Sequence, residues 1–131
     1  MTKTITVWKE KQQFKSFHEH NTIDIDGARK EGFGAKALLL SSLAACSGID
    51  IVEILQKMRI EFSDFEIETH AEQTEKNPRV YKDIFITYKM KTDKKFTEKV
   101  KKAVSLSLEK YCGVSAMLSK NSKIHCDVKI L

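Results

Sequence analysis

Three cysteines, Cys46, Cys112 and Cys126, are the residues of this 131-residue chain with the most evident reactive chemistry. Thiolates attack peroxides and disulfides, and they also bind metals. An odd number of cysteines does not suit a framework of structural disulfides. The alternating residues 1–8 do not have the apolar core of a secretory leader. We therefore expect a cytoplasmic protein with free, catalytic or metal-bound thiols.

Cys46 and Cys112 are predicted to occupy two different environments. Cys46 lies in the apolar first half of a long predicted helix, between the small residues Ala45 and Ser47, so another element is expected to shelter it. Cys112 ends one predicted helix and precedes the first turn of the next. There, free backbone N–H groups and the helix dipole favour a thiolate. The alternative is that both are ordinary buried cysteines that fill gaps in a core.

The third cysteine and the histidines give weaker signals. Cys126 alternates with apolar residues on one face of a predicted strand, where packing alone accounts for it. The chain has no Cys-x-x-Cys, no His-Glu-x-x-His and no G-x-G-x-x-G spacing. The four histidines are His18, His20, His70 and His125. We therefore predict no bound metal and no nucleotide cofactor.

The hydrophobic pattern predicts the order β-β-β-α-β-β-α-α-β, which is an α+β arrangement. Alternation predicts strands over residues 4–9, 13–18, 22–26, 62–72, 83–91 and 124–131. Helical spacing predicts a long helix over residues 36–59, a second over 96–111 that Asp93 caps, and a short one over 114–119. The first half of the long helix is apolar on nearly every side, so we expect it to run through the middle of the fold.

The composition, with 41% apolar and 31% charged residues, is that of one globular domain over residues 1–131. The charge excess is 23 − 18 = +5. The lysines are spread along the chain, which favours solvated helix faces over a nucleic-acid-binding stripe. The longest apolar stretch, residues 35–46, is shorter than the roughly 20 residues of a membrane-spanning helix. We expect neither a nucleic-acid nor a membrane partner.

Two segments resemble the paired cysteine motifs of the OsmC/Ohr family of peroxidase-like proteins. They are residues 37–46, ALLLSSLAAC, and residues 109–115, EKYCGVS. Residues 49–59, IDIVEILQKMR, resemble the YhfA-like branch of the family. The separation of the two cysteines, 112 − 46 = 66 residues, also fits the family. The resemblance covers essentially the whole chain.

The resemblance implies an OsmC-like fold, in which an antiparallel β-sheet packs around a long buried central helix, and an intertwined homodimer. It implies that Cys46 attacks a hydroperoxide, usually an organic one, and that Cys112 resolves the sulfenic acid as a disulfide. A dithiol reductant of the lipoyl or thioredoxin type would then restore both thiols. The implied role is an antioxidant hydroperoxide reductase of the stress response that uses no cofactor.

The chain departs from the family at the groups that activate the first cysteine. Characterised peroxidases have a Pro-Glu pair at the start of the central helix and an arginine at the end of the preceding strand. Here residues 35–37 are Ala-Lys-Ala, and the strand ends in Asp26. Arg29, Lys30 and Lys36 are candidates to substitute, and no motif chooses among them.

Two rival functions stay open at this point. The first is a non-catalytic module of the OsmC fold that binds a small apolar ligand between its central helices. The second is nucleic-acid binding by a basic protein, whose affinity would fall steeply with added salt.

Overall fold

A computed structural model describes all of residues 1–131. The chain forms two compact units, residues 1–40 and residues 41–131. The order of strands and helices is the predicted one, so the α+β class is confirmed. The assignment of residues 1–131 to a single domain stays a prediction.

The first unit is an antiparallel three-stranded sheet of order β1-β2-β3, with strands Ile5–Glu10, Gln13–His18 and Asn21–Asp26. Two-residue turns join the strands, and Lys11 and Glu19 take the positive φ values of 49° and 55° that such turns need. The predicted strands agree with these bounds to within one residue at each end.

The second unit contains a three-stranded sheet of order β4-β5-β6, with strands Ser63–Gln73, Tyr81–Lys91 and Lys123–Ile130. Strands β4 and β5 form the predicted antiparallel hairpin, whereas β5 and β6 are parallel. The prediction of an antiparallel sheet is therefore wrong for this last pair. The helices between β5 and β6 form a crossover, which lets the chain return in the same direction.

The helices are α1 at Ala37–Lys57, α2 at Thr97–Leu106 and α3 at Gly113–Leu118. Asp93 caps the 3₁₀ turn Lys94–Phe96 before α2, because its Oδ1 accepts a hydrogen bond from the Lys95 N–H at 3.0 Å. The predicted cap is thus confirmed. The predicted helix over 96–111 does not stay α-helical to its end, since Ser107–Tyr111 form a π-helical turn.

Helix α1 buries one stripe of residues within its own chain. The buried residues are Leu43, Ser47, Gly48, Ile51 and Leu55. Leu39 and Ile49 lie elsewhere on the helix and are 44% and 61% exposed. We predicted that other elements cover α1 on nearly every side. Within a single chain they cover only part of the helix. By length and composition α1 is the one helix that could cross a membrane, a criterion that core helices of soluble proteins also meet.

The core of the second unit lies under the central strand β5. Four alternating side chains of this strand, Ile84, Ile86, Tyr88 and Met90, are at most 1% exposed. Val100, Ala103 and Val104 of α2 are buried as well. This is the burial pattern of a sheet with one face covered by helices.

Candidate thiol site

The two predicted site residues, Cys46 and Cys112, lie side by side. Cys46 is half-buried on α1, and Cys112, between the π-helical turn and α3, is only 3% exposed. The Cys46 side chain is close enough to Cys112 to raise the pKa of the Cys112 thiol. The structure therefore brings together two cysteines that are 66 residues apart in the sequence.

Burial controls the protonation of Cys112. It raises the pKa of the Cys112 thiol to about 11, and the interaction with the Cys46 side chain acts in the same direction. The backbone N–H groups of Ser115, 3.3 Å from the Cys112 sulfur, and of Val114 lower the pKa. Because burial outweighs these amides, Cys112 is neutral at pH 7. The amides at the helix start do favour the thiolate, as predicted, but they do not determine the protonation state of Cys112.

The π-helical turn fixes the backbone of Cys112. The Cys112 N–H donates a hydrogen bond to the Ser107 carbonyl oxygen, five residues earlier, at 2.7 Å. On the other side of Cys112, the Ser115 hydroxyl donates to the Leu108 carbonyl oxygen at 2.9 Å. Single π-helical turns of this kind are frequent at functional sites. Hydrogen bonds from Cys112 itself and between residues on either side of it therefore fix its position.

A buried polar contact ties this turn to α1. The Ser107 hydroxyl donates to Asp50 Oδ2 at 2.8 Å, and the Ser47 carbonyl oxygen is 3.3 Å from the same hydroxyl. Ser47 and Ser107 are both fully buried. The contact joins the residue after Cys46 to the turn before Cys112. No motif in the sequence marks Ser107 or Asp50 as a site residue.

Tyr88 contributes a further buried hydroxyl, next to Ser47. It donates a hydrogen bond to Ser47 Oγ at 2.7 Å, and Ser47 in turn donates to the Leu43 carbonyl oxygen at 2.8 Å. Burial raises the pKa of Tyr88 well above its usual value, and the charges of Cys126 and Cys112 raise it further. Tyr88 was also missed from the sequence, where it is one of several alternating apolar or aromatic residues of β5.

An open groove of about 770 Å³ runs along Cys112. We call it the Cys112 groove; its fourteen lining residues lie between Leu108 and Cys126 and include Lys110, Cys112, Lys120, Lys123 and Cys126. Cys126 is exposed there, which corrects the prediction that it is a packed core residue. Partial burial raises the pKa of Cys126, followed by the charges of Asp127 and Glu109.

A second, apolar hollow of about 460 Å³ lies along α1. Ala45, Gly48, Ile49 and Val52 form its helix side, with Phe65 and Ile67 of β4 opposite. A Cβ atom on Gly48 would stand 2.9 Å from Ile67 Cδ1, so glycine permits this close approach. The hollow is of the size that small ligands occupy.

The histidines do not assemble into a metal site. His70 and His125 stack on opposite sides of the Phe85 ring, at centroid distances of 4.9 and 4.7 Å. His125 Nε2 is 2.9 Å from Asp83 Oδ1, a hydrogen bond that lowers the pKa of Asp83. No group of three His, Cys, Asp or Glu side chains has the arrangement of a metal site.

Asp26, which stands where characterised family peroxidases have arginine, anchors a loop. Its carboxylate accepts hydrogen bonds from the backbone N–H groups of Ala28, Lys30 and Glu31 at 2.9, 3.2 and 3.0 Å. These bonds, that of Glu31 first, lower the pKa of Asp26. The acidic residue at this position therefore has a local structural role in the first unit.

Both cysteine motifs lie in the part of the chain that matches a known protein family. A family model described as OsmC-like protein matches residues 26–127. Protein YhfA of Escherichia coli K12 is 37% identical over 83 residues, which are 63% of this chain and 62% of YhfA. The match thus spans less than two thirds of the length of this relative.

Solved structures share the fold over the full chain. A hypothetical protein from Aquifex aeolicus VF5 is 28% identical, with a TM-score of 0.89, and the match covers 100% of this chain and 96% of that one. The organic hydroperoxide resistance protein OhrB of Bacillus subtilis is 20% identical, with a TM-score of 0.65 and coverage of 98% and 97%. The likeness to OhrB is one of fold.

Proposed function

Because this chain belongs to the OsmC-like family, we propose that it reduces hydroperoxides, organic ones above all, through a cycle of sulfenic acid and disulfide at Cys46 and Cys112. The observation that carries the proposal is the proximity of the two thiols, through which Cys46 raises the pKa of Cys112. Fold neighbours such as OhrB, an organic hydroperoxide resistance protein, agree with it. The cycle needs no metal or organic cofactor.

The burial and protonation of Cys112 support the division of roles. Cys112 is buried and has a pKa of about 11, so Cys46, the more exposed thiol, is the one that meets peroxide. The Cys46 thiolate attacks one peroxide oxygen, the O–O bond breaks, and the alkoxide takes up a proton and leaves as an alcohol. Cys112 then attacks the Cys46 sulfenic acid, gives up its proton, and water leaves as the disulfide forms.

The chain does not have the Pro-Glu pair and the arginine that activate the first cysteine in characterised family peroxidases, and this determines the peroxidase rate that we expect. Residues 35–37 are Ala-Lys-Ala in place of the family's Pro-Glu pair, and Asp26 is engaged with three backbone N–H groups. A peroxidatic thiol without a positive neighbour reacts slowly at neutral pH. We therefore expect a slow peroxidase, or one directed to another electrophile, compared with family members that have both activating groups.

Exposed apolar side chains support a homodimer. In the first unit Ile5, Val7 and Trp8 are 54%, 45% and 62% exposed, and in the second Ile49 is 61% exposed. Apolar patches on this scale usually mark protein interfaces. The occupant that we propose is a second copy of the chain, in a cytoplasmic dimer of single-domain subunits.

Peptide mass spectrometry under non-reducing conditions tests the cycle. Reduced protein receives one equivalent of cumene hydroperoxide, with Cys46→Ser and Cys112→Ser variants alongside. We expect a crosslink between the Cys46 and Cys112 peptides in the unmodified chain. The Cys112→Ser variant should accumulate sulfenic or higher acids on Cys46. Thiols that stay unmodified in all three proteins would rule out the peroxidase proposal.

The apolar hollow along α1 favours one second candidate, a non-catalytic module that binds a small apolar ligand. This function predicts saturable binding of a long-chain alcohol, and the binding should survive replacement of both Cys46 and Cys112 by serine. Binding that is lost when Phe65, on the β4 side of the hollow, is replaced by alanine would locate the ligand in the hollow. No measurable binding would dismiss the candidate.

A further inference from the structure

Ser47 lies where α1, strand β5 and the π-helical turn meet. It is fully buried and follows Cys46 directly on α1. Its hydroxyl accepts a hydrogen bond from the Tyr88 hydroxyl of β5 at 2.7 Å, and its carbonyl oxygen is 3.3 Å from the Ser107 hydroxyl of the turn. The residue beside Cys46 is therefore tied both to the sheet and to the turn that precedes Cys112.

The single proton of the Ser47 hydroxyl is used within α1. It is donated to the Leu43 carbonyl oxygen at 2.8 Å, and the Ala44 carbonyl oxygen is 3.2 Å away. A serine hydroxyl also has acceptor lone pairs, and in a buried position their partner is supplied by the protein. Tyr88 is that partner, and because burial raises the pKa of Tyr88, the phenol keeps the proton that it donates.

The path from Ser47 to Cys112 passes through one residue. The Ser107 hydroxyl lies against the Ser47 carbonyl oxygen, and the Ser107 carbonyl oxygen accepts a hydrogen bond from the Cys112 N–H at 2.7 Å. A shift of the helix turn that contains Cys46 and Ser47 therefore reaches the backbone of Cys112. Tyr88 opposes such a shift, because its side chain is fully buried in the core of the second unit.

We propose that Tyr88 is a positioning residue, whose hydroxyl holds Ser47 and thereby sets the place of the Cys46 thiol relative to Cys112. This inference rests on the proposed Cys46–Cys112 disulfide. In this role Tyr88 transfers no proton and forms no bond to a substrate. Two groups that are held in the right geometry react with a high effective concentration, and a small displacement loses part of this gain. The Tyr88 hydroxyl therefore favours closure of the disulfide.

Equilibration with glutathione tests this role without peroxide. Tyr88→Phe keeps the ring and removes the hydroxyl, and a Cys126→Ser background prevents mixed disulfides at the exposed third cysteine. The fraction of Cys46–Cys112 disulfide at each ratio of reduced to oxidised glutathione gives the effective concentration of the two thiols. We expect Tyr88→Phe to lower this concentration about three- to tenfold, the fold-change that corresponds to the net contribution of one hydrogen bond.

A hydroxyl with a purely structural role gives a different result. Such a hydroxyl stabilises the reduced and the oxidised protein equally, so its removal leaves the glutathione equilibrium unchanged. An unchanged equilibrium in Tyr88→Phe would therefore overturn the inference. Thr87→Val is the matched control, because it removes a hydroxyl from the next residue of β5, on the opposite face of the sheet. We expect no change in this control, and a fall equal to that of Tyr88→Phe would also overturn the inference.

A double-mutant cycle tests whether Tyr88 acts through Ser47. Ser47→Ala should lower the effective concentration at least as much as Tyr88→Phe does. Adding Tyr88→Phe to Ser47→Ala should then lower it no further, because the bond that the two hydroxyls share is already lost. Additive losses would overturn the inference, since Tyr88 would then act by another route.

A parallel measurement with cumene hydroperoxide separates this inference from the proposed function. The disulfide can close with glutathione even if the chain is not a peroxidase. A disulfide that forms with glutathione and not with the hydroperoxide would end the peroxidase proposal and leave the positioning role of Tyr88 intact. If glutathione closes no disulfide between Cys46 and Cys112 at any ratio, the positioning role is overturned.

Discussion

Cys112 and Cys126 line one groove and differ sharply in access to solvent. Cys112 is 3% exposed, and burial raises the pKa of its thiol to about 11, whereas Cys126 is exposed on β6. Reactivity of a thiol toward alkylating reagents follows both its thiolate fraction and its exposure. The two cysteines should therefore separate in a simple labelling experiment.

We predict that iodoacetamide at pH 8 labels Cys126 long before Cys112. At three pH units below its pKa of about 11, roughly one Cys112 in a thousand is ionised. Timed quenching and peptide mass spectrometry measure the two rates. Urea-unfolded protein is the control, because both cysteines should be labelled at similar rates there. Equal rates in the folded protein would contradict the burial of Cys112.

The raised pKa of Cys112 also predicts how stability changes with pH. Between the ordinary thiol value of 9.0 and about 11, an unfolded chain loses this proton while the folded chain keeps it. The unfolded state then binds fewer protons, so the free energy of unfolding falls as pH rises, by up to about 1.4 kcal/mol per pH unit. Urea titrations at pH 8 to 11 measure this slope, and it should be shallower in Cys112→Ser. An equal slope in both proteins would contradict the prediction.

Residue types and spacing identified the thiol pair but not its environment. The motifs around Cys46 and Cys112 point to both cysteines, and their contact agrees with that choice. The Cys112 thiolate was predicted from its place before a helix, but the depth of burial, which decides the pKa, depends on elements far apart in the sequence. Cys126 was misplaced for the same reason, because alternation on an edge strand does not reveal whether anything covers that strand.

At the scale of elements, the junction of α2, the π-helical turn and α3 positions Cys112 against α1. The Ser107 side chain links this junction to α1, because its hydroxyl donates a hydrogen bond to Asp50 Oδ2 at 2.8 Å. Loss of this bond should loosen the turn before Cys112 without touching either thiol. A residue that acts in this way positions the reacting groups and takes no part in the reaction.

We predict that Ser107→Ala lowers the free energy of unfolding by about 1–3 kcal/mol, because Asp50 loses a buried donor. It should also make the proposed Cys46–Cys112 disulfide easier to reduce, which equilibration with glutathione buffers measures. Ser105→Ala is the matched control, since Ser105 is exposed two residues earlier in α2. A Ser107→Ala protein with unchanged disulfide stability would assign Ser107 a purely structural role.

The bounds of the strands, of α1 and of α3 could be predicted to within about two residues, because alternation and helical spacing are local properties of the sequence; α2 ends five residues before its predicted end. The hairpin of β4 and β5 was likewise visible, since residues 76–79 have turn chemistry. The parallel pairing of β5 with β6 was not, because it depends on where α2 and α3 return the chain. The π-helical turn at Ser107–Tyr111 also has no local sequence signal.

At the scale of the whole molecule, a single chain leaves large apolar side chains exposed to solvent, and we expect a partner to cover them. The buried stripe of α1 accounts for only part of its apolar residues, and Ile49 remains 61% exposed. The same face could be covered by a second chain or by lipid, since α1 meets the length and composition of a membrane-spanning helix. The mass of the protein in detergent-free buffer distinguishes these alternatives: a second chain gives a defined dimer, whereas a face that binds lipid gives aggregates.

We predict a detergent-free dimer with twice the chain mass of 15.0 kDa, measured by light scattering after size exclusion. Ile49→Glu should shift the mass to that of one chain while the circular dichroism stays that of a folded protein, because Ile49 is exposed within a single chain. Ser105→Glu adds the same charge at an exposed position of α2 and should leave the dimer intact. A single-chain mass for the unmodified protein would contradict the dimer, and aggregation that only detergent relieves would favour a lipid cover for α1.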